Sequence, residues 1–213
     1  MPDDRLTRAA LIAEGGAGGS LRADARRNRE RVVLAALEIF AEDGRIDSME
    51  QVAERAGVAK GTVYRSFPNR AALVTAVAAH QFAEIQEIAD TALAGEGEPT
   101  AAFVRLVHEI FQYNGANGLF VEALRHDDLT EEVRTIQHRM RLSIALAMDR
   151  CRPEGSISPD ITPDDLFVVM AGVSLQLNKD RGTPDEWRRG ADLVLRSLGV
   201  PRSFREIAQD SPS

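Results

Sequence analysis

Residues 47–73 read DSMEQVAERAGVAKGTVYRSFPNRAAL, two short helical stretches on either side of a single glycine. Ser48 is suited to cap a helix, and Gln51 stands three places on, the spacing of a capping box that satisfies two orphan amide donors. Val52, Ala53 and Ala56 share one face of the helix opened in this way. Gly57 ends it, because a sharp turn between two helices needs a residue that tolerates positive φ. The spacing predicts a second helix over Lys60 to Ser66. Pro68 closes it, since the residue before a proline is pushed out of helical geometry.

Two short helices joined by a tight glycine turn are a helix-turn-helix, whose second helix can lie in the major groove of DNA. Val58, Val63 and Phe67 are spaced to pack inward against Val52 and Ala53. Lys60, Thr62, Tyr64 and Arg65 are then left facing outward, and Gly61 bares the backbone for close approach to a phosphate. Short polar, cationic and phenolic groups suit phosphate and base-edge contact. The competing interpretation is a small hairpin inside an all-α enzyme or small-molecule carrier, because folds do not fix functions.

The run from Val52 to Arg70, VAERAGVAKGTVYRSFPNR, resembles the DNA-binding signature of the TetR family of transcriptional repressors, and Arg26 to Phe40 resembles that family's first helix. The resemblance covers about a quarter of the chain. It implies an all-α protein with an N-terminal three-helix helix-turn-helix DNA-binding head and a C-terminal helical ligand-binding and dimerisation domain. It also implies a double-stranded DNA operator as partner, a homodimer, and a regulator in place of an enzyme; no cofactor is expected. One departure is Ala59, where family members usually carry Ser or Thr at the start of the recognition helix. Losing a capping hydroxyl costs roughly 1 kcal/mol of helix stability. The resemblance further assigns Arg70 to a backbone phosphate, and a cation in the first turn of a helix, unfavourable to the dipole, calls for such a partner.

At 213 residues the chain is long enough for one large or two small domains. Its one cysteine, Cys151, cannot form an internal disulfide, which fits a reducing cytoplasm. Asp3, Asp4 and Arg5 interrupt any apolar signal core, and nothing approaches the ~20 apolar residues of a membrane span. A cytoplasmic protein with no membrane partner is expected. The net charge of −7 argues against nucleic acid until it is divided along the chain. Residues 21–73 hold ten Lys or Arg against eight acids, whereas residues 74–213 hold fourteen against twenty-two. The positive excess thus lies in the segment with the helix-turn-helix.

The glycine-dense end of residues 1–20 predicts a flexible tail. The run Arg22 to Arg29 is either a basic arm that touches phosphate or a minor groove, or a solvated helix face. From Arg26 a helix carries Val33, Ala36, Leu37 and Phe40 as a buried stripe and stops at Gly44. Asn69 caps the next helix, which runs to about Leu93. Thr100 is expected to cap a helix broken again at Asn114–Gly118. A short helix near Leu119 to Arg125 follows, then one opened by Thr130. Thr162-Pro163-Asp164-Asp165 and Thr183-Pro184-Asp185-Glu186 are two strong helix starts, with cap, proline and acids in order. The expected domains are a tail over 1–20, the DNA-binding domain over 21–70, a regulatory and dimerisation domain over 71–204, and a frayed tail over 205–213.

The candidate DNA contacts are Arg26, Ser48, Lys60, Gly61, Thr62, Tyr64, Arg65 and Arg70. Phe103, Phe111, Tyr113, Phe120, Met140, Ile144, Met148, Phe167 and Met170 either line a pocket for a small apolar or amphipathic ligand or fill the core. Met and Phe suit an adaptable pocket. The helix after Pro163 is apolar nearly all round and must be covered on every side. A second copy of the chain is expected to cover it through Phe167, Met170, Val173, Leu177, Trp187, Val194 and Leu195. His80, His108, His126 and His138 show no metal-ligand spacing, and no catalytic constellation is present in the sequence.

Overall fold

The computed structural model describes residues 19–118 and 129–207. Among them the order is α1 (Gly19–Asp43), α2 (Met49–Ala56), α3 (Lys60–Ser66), α4 (Arg70–Ala94), α5 (Pro99–Asn117), α6 (Glu131–Asp149), α7 (Pro163–Lys179), α8 (Pro184–Ser197) and α9 (Arg202–Ile207), with one 3-10 turn at Arg152–Glu154. No strand occurs among the described residues. Residues 1–18 of the expected tail, the short helix near Leu119 to Arg125 with Phe120, and His126 lie outside them, as do residues 208–213. The chain divides into two compact units, Met1–Ala83 with Asn117–Ile136, and Glu84–Ala116 with Gln137–Ser213. The division falls within α4, whose 25 residues span about 37 Å.

In the first unit, Val32, Ile39 and Phe40 of α1, Val52 of α2, Val63 of α3, Phe67 after it, and Leu73 of α4 are buried in one apolar core. Each sits at the helical spacing that puts a stripe on one face. Gly57 adopts φ +62°, and the turn it makes is a Schellman motif. The Val58 amide donates to Ala53 O and the Gly57 amide to Glu54 O, each at 3.0 Å. At the other end of α2 the Gln51 amide donates to Ser48 Oγ at 3.1 Å. The reciprocal bond misses Ser48: Gln51 Oε1 accepts from the Asp47 amide at 3.2 Å, so the expected box closes one residue early. Asn69 caps α4 as expected, its Oδ1 accepting from the Ala72 amide at 2.8 Å.

Helix α1 starts at Gly19, inside the expected tail, so the described part of Arg22–Arg29 is helix and not a separate arm. The stretch after Ser20 is rich in Ala and Arg, good helix formers that extend the helix N-terminally. Two α1 arginines then serve the helix-turn-helix. Arg31 Nη2 donates to Ala56 O at 2.6 Å, at the carbonyl end of α2. Arg29 Nη1 donates to Ser66 O at 2.7 Å, at the carbonyl end of α3, and its guanidinium lies 4.2 Å from the Phe67 ring centroid. Cations there satisfy orphan carbonyls and oppose the negative end of each helix dipole.

In the second unit both proline-led starts carry full capping boxes, Thr162 with Asp165 and Thr183 with Glu186. Helix α5 differs from expectation at both ends. Glu98 caps it, accepting from the Thr100 and Ala101 amides at 2.9 and 2.6 Å, while the buried Thr100 hydroxyl donates to Glu154 at 2.7 Å. The helix also runs through Asn114 and Gly115 to Asn117. Gly115 serves packing: a Cβ there would lie 2.8 Å from the Trp187 indole. Gly190 of α8 does the same against Leu177, Val173 and Phe111. Phe111 meets Trp187 edge-on, with centroids 6.0 Å apart. After Gly199, at φ +85°, the chain turns helical again over Arg202–Ile207, where a frayed tail was expected from residue 205.

Candidate nucleic-acid interface

Helix α3 has Val63 at zero exposure, anchored in the head's core, with Phe67 beneath its end. The opposite side of the helix is open. Lys60 is exposed over 61% of its side chain and Tyr64 is 40% exposed. Arg65 and Arg70 are exposed, Thr62 is half-buried, and Arg26 is exposed on α1. A Cβ built on Gly61 would meet nothing within 4 Å, so the backbone there is accessible from outside. Ser48 is half-buried, and its hydroxyl serves the α2 cap. Ala59, lacking a hydroxyl, leaves α3 without a side-chain cap, and the Thr62 amide donates to Ala59 O at 2.8 Å instead.

Sequence reasoning missed Glu50. Its carboxylate pairs with Lys60 Nζ across the turn. Lys60 Nζ lies 5.7 Å from the Tyr64 ring centroid, so the three side chains form one cluster across the turn. Glu50 holds the Lys60 ammonium above its ordinary pKa, and Lys60 holds the Glu50 carboxyl below its own. The signal was present in the helical register: Glu50 lies opposite the Val52–Ala53–Ala56 face of α2. Arg29 and Arg31 were missed for a different reason, since their partners are backbone carbonyls. Arg55 is drawn the other way, bound bidentately to Glu42 of α1 at 3.0 and 2.5 Å.

In the second unit the candidate ligand residues Phe103, Phe111, Met140, Ile144, Met148 and Met170 are buried core side chains. Phe167 is half-buried, with the Arg141 guanidinium 3.8 Å from its ring centroid. Tyr113 is half-buried, and burial, with Glu84 nearby, raises its hydroxyl well above the ordinary value. An open cleft of about 320 Å³, solvent included, is bordered by Ala92, Leu93, Pro99, Phe103, Ala147 and Arg150, so Phe103 alone of the expected lining borders it. The interior holds polar groups instead: the Asn114 amide and the Ser174 hydroxyl are buried with no hydrogen-bond partner among the described residues. His108 Nε2 lies 3.2 Å from Asp192 Oδ1, in ion-pair range but misaligned for a hydrogen bond.

Of the expected dimer face, Met170, Trp187, Val194 and Leu195 are buried within one chain, with Val194 and Leu195 at zero exposure. Phe167, Val173 and Leu177 are half-buried. The apolar residues that do face outward on α7 and α8 are Val168, Leu175 and Leu193, at 72%, 37% and 50% exposure. A helix apolar on all sides does not reveal which side packs inward; Leu166, Met170 and Ser174 take that side here.

Two family models match the chain. The one described as bacterial regulatory proteins, tetR family, matches residues 32–77. The one described as transcriptional regulator SbtR-like, C-terminal domain, matches residues 98–200. The HTH-type transcriptional repressor KstR of Mycolicibacterium smegmatis is 31% identical over 120 residues, 56% of this chain and 57% of KstR. The chain therefore spans little more than half of that relative's length. The HTH-type transcriptional regulator UidR of Escherichia coli K12 is 28% identical over 157 residues, 67% of this chain and 75% of UidR. The crystal structure of the TetR transcriptional regulator SCO0520 from Streptomyces coelicolor superposes with a TM-score of 0.58 at 30% identity, covering 82% of this chain and 99% of that one. These matches take in both the helix-turn-helix and the C-terminal helices, and they set aside the enzyme alternative. The chain belongs to the TetR family of bacterial transcriptional regulators.

Proposed function

We propose that this chain is a repressor that binds a near-palindromic operator as a homodimer and leaves it when a small apolar or amphipathic molecule binds. Residues 21–70 serve as the DNA-binding domain and residues 71–204 as the regulatory and dimerisation domain. The protein works in the cytoplasm, where its operator lies. The observation that carries the DNA contact is the open outward side of α3, with Lys60 and Tyr64 exposed over a core that holds Val63. Arg26, Ser48, Gly61, Thr62, Arg65 and Arg70 complete the contact set. Two-fold symmetry in the protein requires two-fold symmetry in the operator. The outward Val168, Leu175 and Leu193 support the homodimer, since exposed apolar residues grouped on two helices gain by being covered. The unpartnered Asn114 and Ser174 support an effector site that a ligand's own polar groups complete. The effector shifts operator occupancy only by its difference in affinity between the two states.

A gel-shift titration against the DNA upstream of the chain's own gene tests the contact. Replacing Lys60 and Tyr64 together by Ala lowers affinity by about 100-fold while leaving the melting temperature unchanged. A double variant that shifts DNA as the wild type does would overturn the interface.

A further inference from the structure

The cluster at the head of α3 contains an acid where a phosphate-binding face should have none. Glu50 is the second residue of α2, and an acid in a first turn is favoured by the helix dipole. That accounts for its presence but not for where its side chain goes. The carboxylate crosses the turn to the first residue of α3, pairing with Lys60, whose ammonium lies 5.7 Å from the centroid of the Tyr64 ring one helical turn further on. Glu50 is exposed over 47% of its side chain and Lys60 over 61%, so the pair stands on the surface offered to DNA. A carboxylate only accepts hydrogen bonds. Against a duplex it is repelled by phosphate and by the acceptor-lined edges of guanine and thymine. In the major groove it is matched only by an exocyclic amine, with cytosine N4 the usual partner of Glu.

We propose that Glu50 is a specificity-determining residue, which holds Lys60 when no DNA is bound and accepts from a cytosine amine on the operator. The inference rests on the DNA-binding function proposed above. On the operator the base amine replaces Lys60 as the partner of Glu50, and Lys60 is released to a phosphate. On other sequences no donor meets the carboxylate. Binding then either leaves Glu50 unpaired beside phosphate or leaves Lys60 withheld from it. Non-operator DNA is disfavoured on both counts.

The test uses the full chain as wild type, Glu50→Gln, Lys60→Ala and the double variant, with an operator that the wild type selects from a random duplex pool. Glu50→Gln binds a random-sequence duplex roughly three- to tenfold more tightly and the operator no more tightly, so the ratio between them falls. A pool selected by Glu50→Gln loses a cytosine preference in each half-site. In the Lys60→Ala background the gain on random duplex shrinks to what carboxylate repulsion alone contributes, because Glu50 no longer has that ammonium to withhold. Should Glu50→Gln melt early, Glu50→Asp, one methylene too short to reach across the turn, makes the same comparison with the same fall expected. An unchanged ratio, or the same gain without Lys60, overturns the role of Glu50 alone. A wild type that enriches no duplex at all overturns the DNA-binding function, and this inference with it.

Discussion

The first three helices and the α7–α8 pair handle polarity in opposite ways. In α1–α3 the apolar side chains other than the exposed Leu34 close on one core, and the carbonyl ends of α2 and α3 are taken by Arg31 and Arg29. The outward side of α3 is polar, with Glu50 paired to Lys60 and Lys60 beside the Tyr64 ring. Along α7 and α8, Val168 and Leu193 stand exposed while Ser174 is buried without a partner, and Asn114 of α5 is buried in the same state. Gln81 of α4, in the first unit, is a further buried amide with neither atom bonded. A buried polar group left unpaired costs about 1 to 3 kcal/mol, and an exposed apolar side chain gains nothing until it is covered. The head is complete by itself. The α7–α8 region is built to be completed from outside.

The largest expected effect separates the inner and outer sides of α7–α8. Val194→Asp places a charge at a site with zero exposure, costs about 4 kcal/mol or more, and yields no folded protein by circular dichroism. Val168→Asp, at a site 72% exposed, leaves the stability of one chain within about 0.5 kcal/mol, yet sedimentation shows monomers in place of dimers. A dimer that survives Val168→Asp would break the contrast.

A smaller effect contrasts satisfied and orphaned groups. Arg31→Met removes a charged bond to Ala56 O and costs about 1 to 2 kcal/mol in urea unfolding. Ser174→Ala removes a hydroxyl that bonds to nothing and leaves stability unchanged or raises it by about 1 kcal/mol. If Ser174→Ala proves as costly as Arg31→Met, the hydroxyl is not an orphan.

The smallest effect is in pH. Burial lowers the pKa of His80, opposed by Glu30, and that of His108, opposed by Asp192. The unfolded chain therefore takes up protons first as pH falls below about 6.5. Stability that is fully present above that value is lost as pH falls toward the folded pKa. Thermal melts from pH 8 to pH 5 should show this decline, and His108→Gln should lessen it. The carboxyls of Glu42, Asp165 and Glu186 are held below their ordinary values by Arg55, Thr162 and Thr183, so their contribution fails only at lower pH, below about 4.5. Melting that is flat from pH 8 to 5 would count against the buried histidines.

The caps and turns are legible in the chain itself because they act within about four residues. Ser48, Gly57, Pro68, Asn69, Thr162 and Thr183 mark helix ends that stand in the fold where the sequence put them. The outward face of α3 follows from the same local register, and with it the family resemblance. The Asn114–Gly118 break was misplaced because glycine has two uses, positive φ and close approach. Only the Trp187 ring, seventy-two positions away in the chain, shows that Gly115 has the second.

Local sequence thus carries the set of helices, the helix-turn-helix and its polar side, all of them specified by neighbours a turn or two apart. Packing in three dimensions settles the rest: which side of an all-apolar helix turns inward, which carbonyls Arg29 and Arg31 close, and that Glu50 reaches Lys60. Those choices depend on side chains brought together from separate helices, and helical periodicity carries no information about a partner on another helix.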